Sequence, residues 1–230
     1  MHSPCPHDPP GTSDLAKYLI RREMVSSGLL KFDDHPENYW AWKASFLSST
    51  RDLNLTPREE LDLLSKWLGP TSAEQAKRIR AAYIHNATVA LNMVWQRLED
   101  CFGAPEIIEH ALLKKVEDFP RISSRDNKKL RELGDPLLEL EAAKMNGYLT
   151  GLSHLDTAHG VSPILTKLPF SLQERWVTTG STFKKEHNVS YPPFSIFVRF
   201  ICEEAQTHND PSFACVTNGG TYRARRWSSG

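Results

Sequence analysis

The residues with the clearest chemical potential lie in the run His154-Leu155-Asp156-Thr157-Ala158-His159. Aspartate followed by threonine and a small residue is the loop pattern of two-carboxylate peptide hydrolysis. There, one Asp per subunit pairs across a dimer, and a shared proton activates water. That chemistry is built on strands around the loop, whereas both flanks of Asp156 carry helical spacing, so Asp156 reads as a loop aspartate capping a short helix. His154 and His159 flank it, but nothing supplies a third and fourth ligand at short spacing, and both are expected to face solvent. Cys202, His208 and Cys215 lack zinc-knuckle spacing. Cys101, set among Trp95, Leu98 and Phe102, reads as a small buried apolar residue, because no basic neighbour stabilises its thiolate. The chain has no Gly-rich phosphate loop, Gly-x-Ser-x-Gly elbow or His-Glu-x-x-His helix. The expectation is a non-enzyme with no catalytic residue, cofactor or metal.

Two basic features suit a different chemistry. Arg121, Arg125, Lys128, Lys129 and Arg131 cluster at the start of one helical pattern, and Tyr222-Arg223-Ala224-Arg225-Arg226-Trp227 lies near the C-terminus. Arginine interleaved with aromatics contacts RNA by neutralising phosphate and stacking on bases. Arg223, Arg225, Arg226, Trp227, Arg125, Lys128 and Lys129 are therefore candidate RNA contacts, with a solvated helix face as the competing reading of the internal cluster. Any such contact is local, since 28 Lys and Arg balance 28 Asp and Glu in 230 residues. The four cysteines form no Cys-x-x-Cys, which favours a reducing compartment. No apolar run reaches the roughly 20 residues that span a bilayer, and the N-terminus lacks the basic flank and apolar core of a signal peptide. A soluble cytoplasmic protein without membrane contact is expected.

The elements that position these residues are helical, because alternating apolar patterns are almost absent. Residues 1–13 are rich in Pro, His, Gly and Ser and are expected to be unstructured; a helix from Asp14 to Ser26 follows. Tyr39, Trp42 and Phe46 share one face of a helix from about Glu37 to Arg51, with Trp40 on a neighbouring face. These four form either a core or a partner groove. Thr56, Pro57 and Glu59 spell a capping box, Thr71 and Glu74 a second, and Ser171 and Glu174 a third. Asn86 caps the helix carrying Trp95, Gly103 is placed to end it, and Pro105 opens the next, making Gly103 to Pro105 a joint between two lobes. Beyond the joint, Ser123 and Asp126 start a charged helix in which Pro136 predicts a kink, or a restart capped by Asp135, and which Gly147 ends. A helical turn within 148–160, a brief helix near Ser162 to Leu168, and a helix with Trp176, Thr179 and Phe183 on its inner face come next. The last helix buries Phe194, Phe197, Val198, Ile201 and Ala205, and a flexible tail begins at Asn209.

Across about Leu29 to Asn209 the chain resembles the Gag region of Bel/Pao-type LTR retrotransposons. The resemblance is carried by Leu30-Lys31-Phe32-Asp33, Tyr39-Trp40-x-Trp42-x-x-x-Phe46, the stretch Leu61 to Gly69, and Trp95-x-x-Leu98-x-x-x-Phe102-Gly103. It continues in Ala111-Leu112-Leu113, Lys129-Leu130-Arg131-Glu132-Leu133, Lys167-Leu168-Pro169 and Arg175-Trp176. It implies an all-α, two-lobed capsid-like architecture with disordered N- and C-terminal tails. The segments are 1–29 as tail and leading helix, 30–104 and 105–208 as the two lobes, and 209–230 as a weakly basic tail. It further implies self-association into particles around RNA. No zinc knuckle follows the second lobe, and no protease, reverse transcriptase or integrase pattern is present. The resemblance is thus to the Gag portion alone, as a truncated element or a retained host copy. The alternative function is a non-assembling helical module that recruits a peptide or helix partner.

Overall fold

The computed structural model describes residues 28–213, together with Leu15, Tyr18, Leu19 and Arg22. Among these residues every regular element is helical and no strand occurs. The chain divides into two compact units, one ending at Lys114 and the other beginning at Lys115.

In the first unit an extended segment through Phe32 leads into α1 (Pro36–Thr50), a 3-10 turn (Arg51–Leu53), α2 (Pro57–Trp67), α3 (Pro70–Ala82) and α4 (Ala87–Leu98). The Thr56–Glu59 capping box forms as its sequence predicts, each residue bonding the other's backbone N–H. Asn86 likewise accepts the Val89 N–H at 3.1 Å. The predicted Thr71–Glu74 box does not form, because α3 begins two residues earlier with Gly69 as its N-cap and Pro70 as its first residue. Its free N–H groups are met from a distance: Asp34 accepts from Thr71 N at 2.7 Å and Ser72 N at 3.2 Å. Asp34 adopts φ 62°, a left-handed conformation that aspartate tolerates better than bulkier residues.

The core of this unit is aromatic. Phe32 packs on Trp42 at 5.0 Å and edge-on to Phe102 at 5.1 Å, and Trp95 meets Phe46 at 5.7 Å between ring centroids. Such pairs add about 0.5–1.5 kcal/mol each beyond the area they bury.

After α4 the chain takes one wide π turn, Glu99–Gly103, and enters α5 (Pro105–Glu117) with Pro105 at its first position. Gly103 does not end α4 as a left-handed cap; it is buried, and its φ is not positive. What requires glycine is close approach, since a β-carbon there would lie 2.6 Å from Tyr39 Cε1 and 2.7 Å from Glu99 Cδ. The division between units falls inside α5, beyond the Gly103–Pro105 turn.

The second unit repeats the order of the first: an extended segment through Ile122, α6 (Asn127–Met145), a 3-10 turn (Thr150–Asp156), α7 (Ala158–Leu165), α8 (Phe170–His187) and α9 (Phe194–His208). The parallel extends to one backbone bond. Phe32 N donates to Trp67 O at 2.9 Å in the first unit, and Ile122 N to Lys167 O at 2.7 Å in the second. In both, the next residue, Leu68 or Leu168, is buried.

Several predicted details of this unit change. α6 runs unbroken through Pro136, so no restart at Asp135 occurs. Its inward face, Leu130, Leu133, Leu137 and Leu140, is fully buried, and α6 packs along α9, which favours keeping the helix continuous despite one missing N–H. Gly147 ends the helical stretch at φ 74°. α7 starts earlier than predicted because Thr157 caps it, accepting the Gly160 N–H. α8 starts at Phe170 after Pro169 with no side-chain cap, so the predicted Ser171–Glu174 box is absent. Its inner face is Leu172, Trp176 and Gly180, whereas Thr179 is exposed. The α9 stripe is buried as predicted. Asn209 belongs to the folded unit, its Nδ2 donating to Asn127 O at 2.8 Å, and a 3-10 turn (Pro211–Phe213) follows.

Candidate functional site

Asp156, the residue with the most catalytic sequence context, is engaged structurally. Its Oδ1 accepts the Phe194 N–H at 2.9 Å, capping the start of α9, and its Oδ2 pairs with Lys144 Nζ at 2.8 Å. Its sequence context predicts a cap on a short helix, but the helix it caps begins 38 residues away in the chain. Pro192 and Pro193 explain why: they precede α9 and leave it no side-chain cap of its own. Thr157 caps α7 and donates its hydroxyl to His154 O. His154 and His159 are exposed, and His154 Nδ1 bonds Gly151 O, so that nitrogen carries the proton. Among the described residues no three His, Cys, Asp or Glu side chains are grouped to hold a metal.

The internal basic cluster lies at the N-terminal end of α6. Asp126 caps that helix by accepting from Lys129 N at 3.1 Å, and its carboxylate pairs with Lys129 Nζ at 3.0 Å. These bonds to the Lys129 side chain and backbone hold the Asp126 carboxyl below the usual range. Lys128 pairs with Glu132 at 3.6 Å one turn on. Arg121 donates through Nε to Thr166 O, and Arg125 and Arg131 are exposed. Over residues 121–132 cations thus outnumber the carboxylates Asp126 and Glu132, which pair with Lys129 and Lys128. Arg223, Arg225, Arg226 and Trp227 lie outside the described residues.

The aromatic set of the first unit resolves into core. Tyr39, Trp42 and Phe46 are buried, the first and last completely. Trp40 is partly buried and donates Nε1 to Gly103 O at 3.0 Å, which ties α1 to the turn before α5. Tyr39 donates to Glu99 Oε2 at 3.0 Å, and Lys43 Nζ meets the same oxygen at 2.6 Å while lying over the Tyr39 and Trp95 rings. Burial, then the bond to Glu99 and the Glu99 charge, push the Tyr39 phenol far above its ordinary value of 10.

An actual concavity lies elsewhere in the first unit. A cleft of about 760 Å³ is lined by Tyr18, Leu19 and Arg22 on one side and by Leu53, Leu55, Leu63, Lys66 and Trp67, with Glu59 and Asp62, on the other. Its size falls within the usual range for ligand pockets. The sequence held a signal for it: α2 buries Leu61 and Leu64, while Leu63 and Trp67 sit half-buried at the edge of the same core, leaving part of each side chain to line the cleft. The loop that turns Leu53 and Leu55 toward that face passes through Asn54 at φ 47°, which spacing alone does not reveal.

Among the described residues no helix is long and apolar enough to cross a membrane. No protein-family model, curated protein or solved structure matches the chain significantly.

Proposed function

We propose that this chain is a capsid-like structural protein of the retrotransposon Gag type, which associates with copies of itself and touches RNA through local basic surfaces. The observation that carries the reading is the internal repeat. Each unit places an extended residue against the carbonyl at the end of its second helical segment, and each then orders helix, 3-10 turn and three helices. A two-lobed assembly protein needs two such independent cores. The resemblance through Phe32, Tyr39, Trp42, Phe46, Trp95, Phe102, Lys167-Leu168-Pro169 and Trp176 falls largely on residues that build them. Its role is structural rather than catalytic. Repeated weak contacts between many copies supply the assembly, as multivalency allows.

Light scattering of the purified protein over a range of concentration and salt, with and without RNA, tests this, followed by electron microscopy of the heaviest fraction. Large closed particles are expected, with their RNA content reduced on removal of residues 221–230 and on neutralising Arg125, Lys128 and Lys129. A chain that stays monomeric or dimeric under every condition refutes assembly. The first-unit cleft favours a second reading, a host-retained module that recruits a peptide or helix partner without assembling. Under that reading a Leu55→Asp change, at a cleft residue outside the core cluster, abolishes partner binding and leaves the oligomeric state unaltered.

A further inference from the structure

Arg121-Ile122-Ser123-Ser124-Arg125 places one arginine three residues before Ser124 and another directly after it. Ser124 lies in a tight turn that a single backbone bond closes, Asp126 N to Ser123 O at 3.0 Å. Ser123, Ser124 and both arginines are exposed, Arg121 holding Thr166 O through its Nε alone. Ile122 is buried and donates its N–H to Lys167 O, so the segment is already extended up to the turn. An exposed serine with a guanidinium three residues upstream is what basophilic serine/threonine kinases read, by pairing that arginine with carboxylates beside their ATP site. Thr178 has the same spacing after Arg175, but the fold withholds it. It sits inside α8 with its hydroxyl donated to Glu174 O, and Arg175 is paired with the buried Glu204.

We propose that Ser124 is a phosphorylation site for a basophilic serine/threonine kinase, and that its phosphate turns off the basic surface at the start of α6; the second half rests on the RNA reading above. The Ser124 hydroxyl oxygen attacks the γ-phosphorus of ATP. An oxygen–phosphorus bond forms as the bond from that phosphorus to ADP breaks, and the hydroxyl proton passes to the kinase's carboxylate base. Over residues 121–132, five cations against Asp126 and Glu132 leave a net charge of +3. A phosphoserine of about −2 lowers it to about +1. The new dianion lies within four residues of Arg121, Arg125 and Lys128, where it competes with RNA phosphates for the same cations.

The experiment incubates the full chain with cyclic-AMP-dependent protein kinase, ATP and Mg²⁺ and reads each site by tandem mass spectrometry. Ser228 and Ser229 follow Arg225 and Arg226 at the same spacing, so they report that the kinase is working. Ser124 is expected to be phosphorylated in the wild type and in Ser123→Ala, not in Ser124→Ala, and at least tenfold more slowly in Arg121→Ala. Thermal melting of each variant confirms the fold. Modification of Ser228 without Ser124, or an unchanged rate in Arg121→Ala, overturns the assignment.

Binding of a single-stranded RNA oligonucleotide is then compared by fluorescence anisotropy, using Ser228→Ala/Ser229→Ala protein. Phosphorylation is expected to weaken it about tenfold near 0.1 M salt and to flatten its salt dependence. Equal affinity of the two forms overturns the switch. If the unmodified protein does not bind RNA, the RNA reading and the switch fall together while the site assignment stands on the mass spectrum.

Discussion

The cap that Asp34 provides to α3 can be taken apart by a double-mutant cycle with Gly69. Asp34→Ala removes the acceptor for the Thr71 and Ser72 N–H groups, now bonded at 2.7 and 3.2 Å. Loss of an N-terminal cap costs about 1–2 kcal/mol. Gly69→Ala is expected to cost much the same for an indirect reason. Its β-carbon would lie 2.5 Å from Asp34 Cγ and 2.7 Å from Oδ1, so the carboxylate must retreat by on the order of 1 Å, which breaks both bonds. Without Asp34 that obstacle is gone. Gly69 has φ −68° and ψ 177°, which alanine adopts without strain, so the double variant is expected to be no less stable than Asp34→Ala alone within about 0.5 kcal/mol. The coupling energy is then about 1–2 kcal/mol. Urea unfolding of the four proteins, followed by tryptophan fluorescence, measures it. Trp40, Trp42, Trp67 and Trp95 all lie in the first unit, so the signal reports mainly on the unit in question. Additive costs would refute the reasoning, since they would mean that the carboxylate and the space at Gly69 are independent.

Other changes follow from the same contacts. Asp156→Ala removes the α9 cap and the Lys144 pair and is expected to cost about 2 kcal/mol, whereas Asp156→Asn keeps an acceptor for Phe194 N and costs less than half of that. Equal losses in a thermal melt would show that the cap is not what Asp156 supplies. Tyr39 ionises far less readily folded than unfolded, because of its burial and then its bond to Glu99. Its contribution is therefore complete below pH 10 and falls by about 1.4 kcal/mol per pH unit above it. Tyr39→Phe is expected to remove that slope, and an unaltered pH profile counts against the assignment. Burial, followed by the charges of Glu141, Asp135 and Glu203, raises the Cys202 thiol. Its alkylation by iodoacetamide at pH 8 is expected to be slower than that of a small-molecule thiol, and an equal or faster rate contradicts it.

The helices and most of their boundaries are legible in the amino-acid order, because these rest on local physics. Apolar spacing marks the faces that Tyr39, Trp42 and Phe46 and later Phe194, Phe197 and Ile201 bury. Local capping chemistry places Thr56, Asn86 and Asp126, whose partners lie three residues away. The tertiary structure decided what needs partners distant in the chain. Asp34 displaced a box that Thr71 and Glu74 spell, since a carboxylate delivered from 37 residues away met the N–H groups of a helix that begins at Pro70. Asp156 became the cap of α9 rather than a reactive or local group by the same kind of contact. Pro136 stayed within a continuous helix because burial along α9 outweighs one lost hydrogen bond. Gly103 was retained for the space beside Tyr39 and Glu99, not for a left-handed turn. Spacing along the chain fixes which groups each helix offers, and only the packed units fix which distant group meets them.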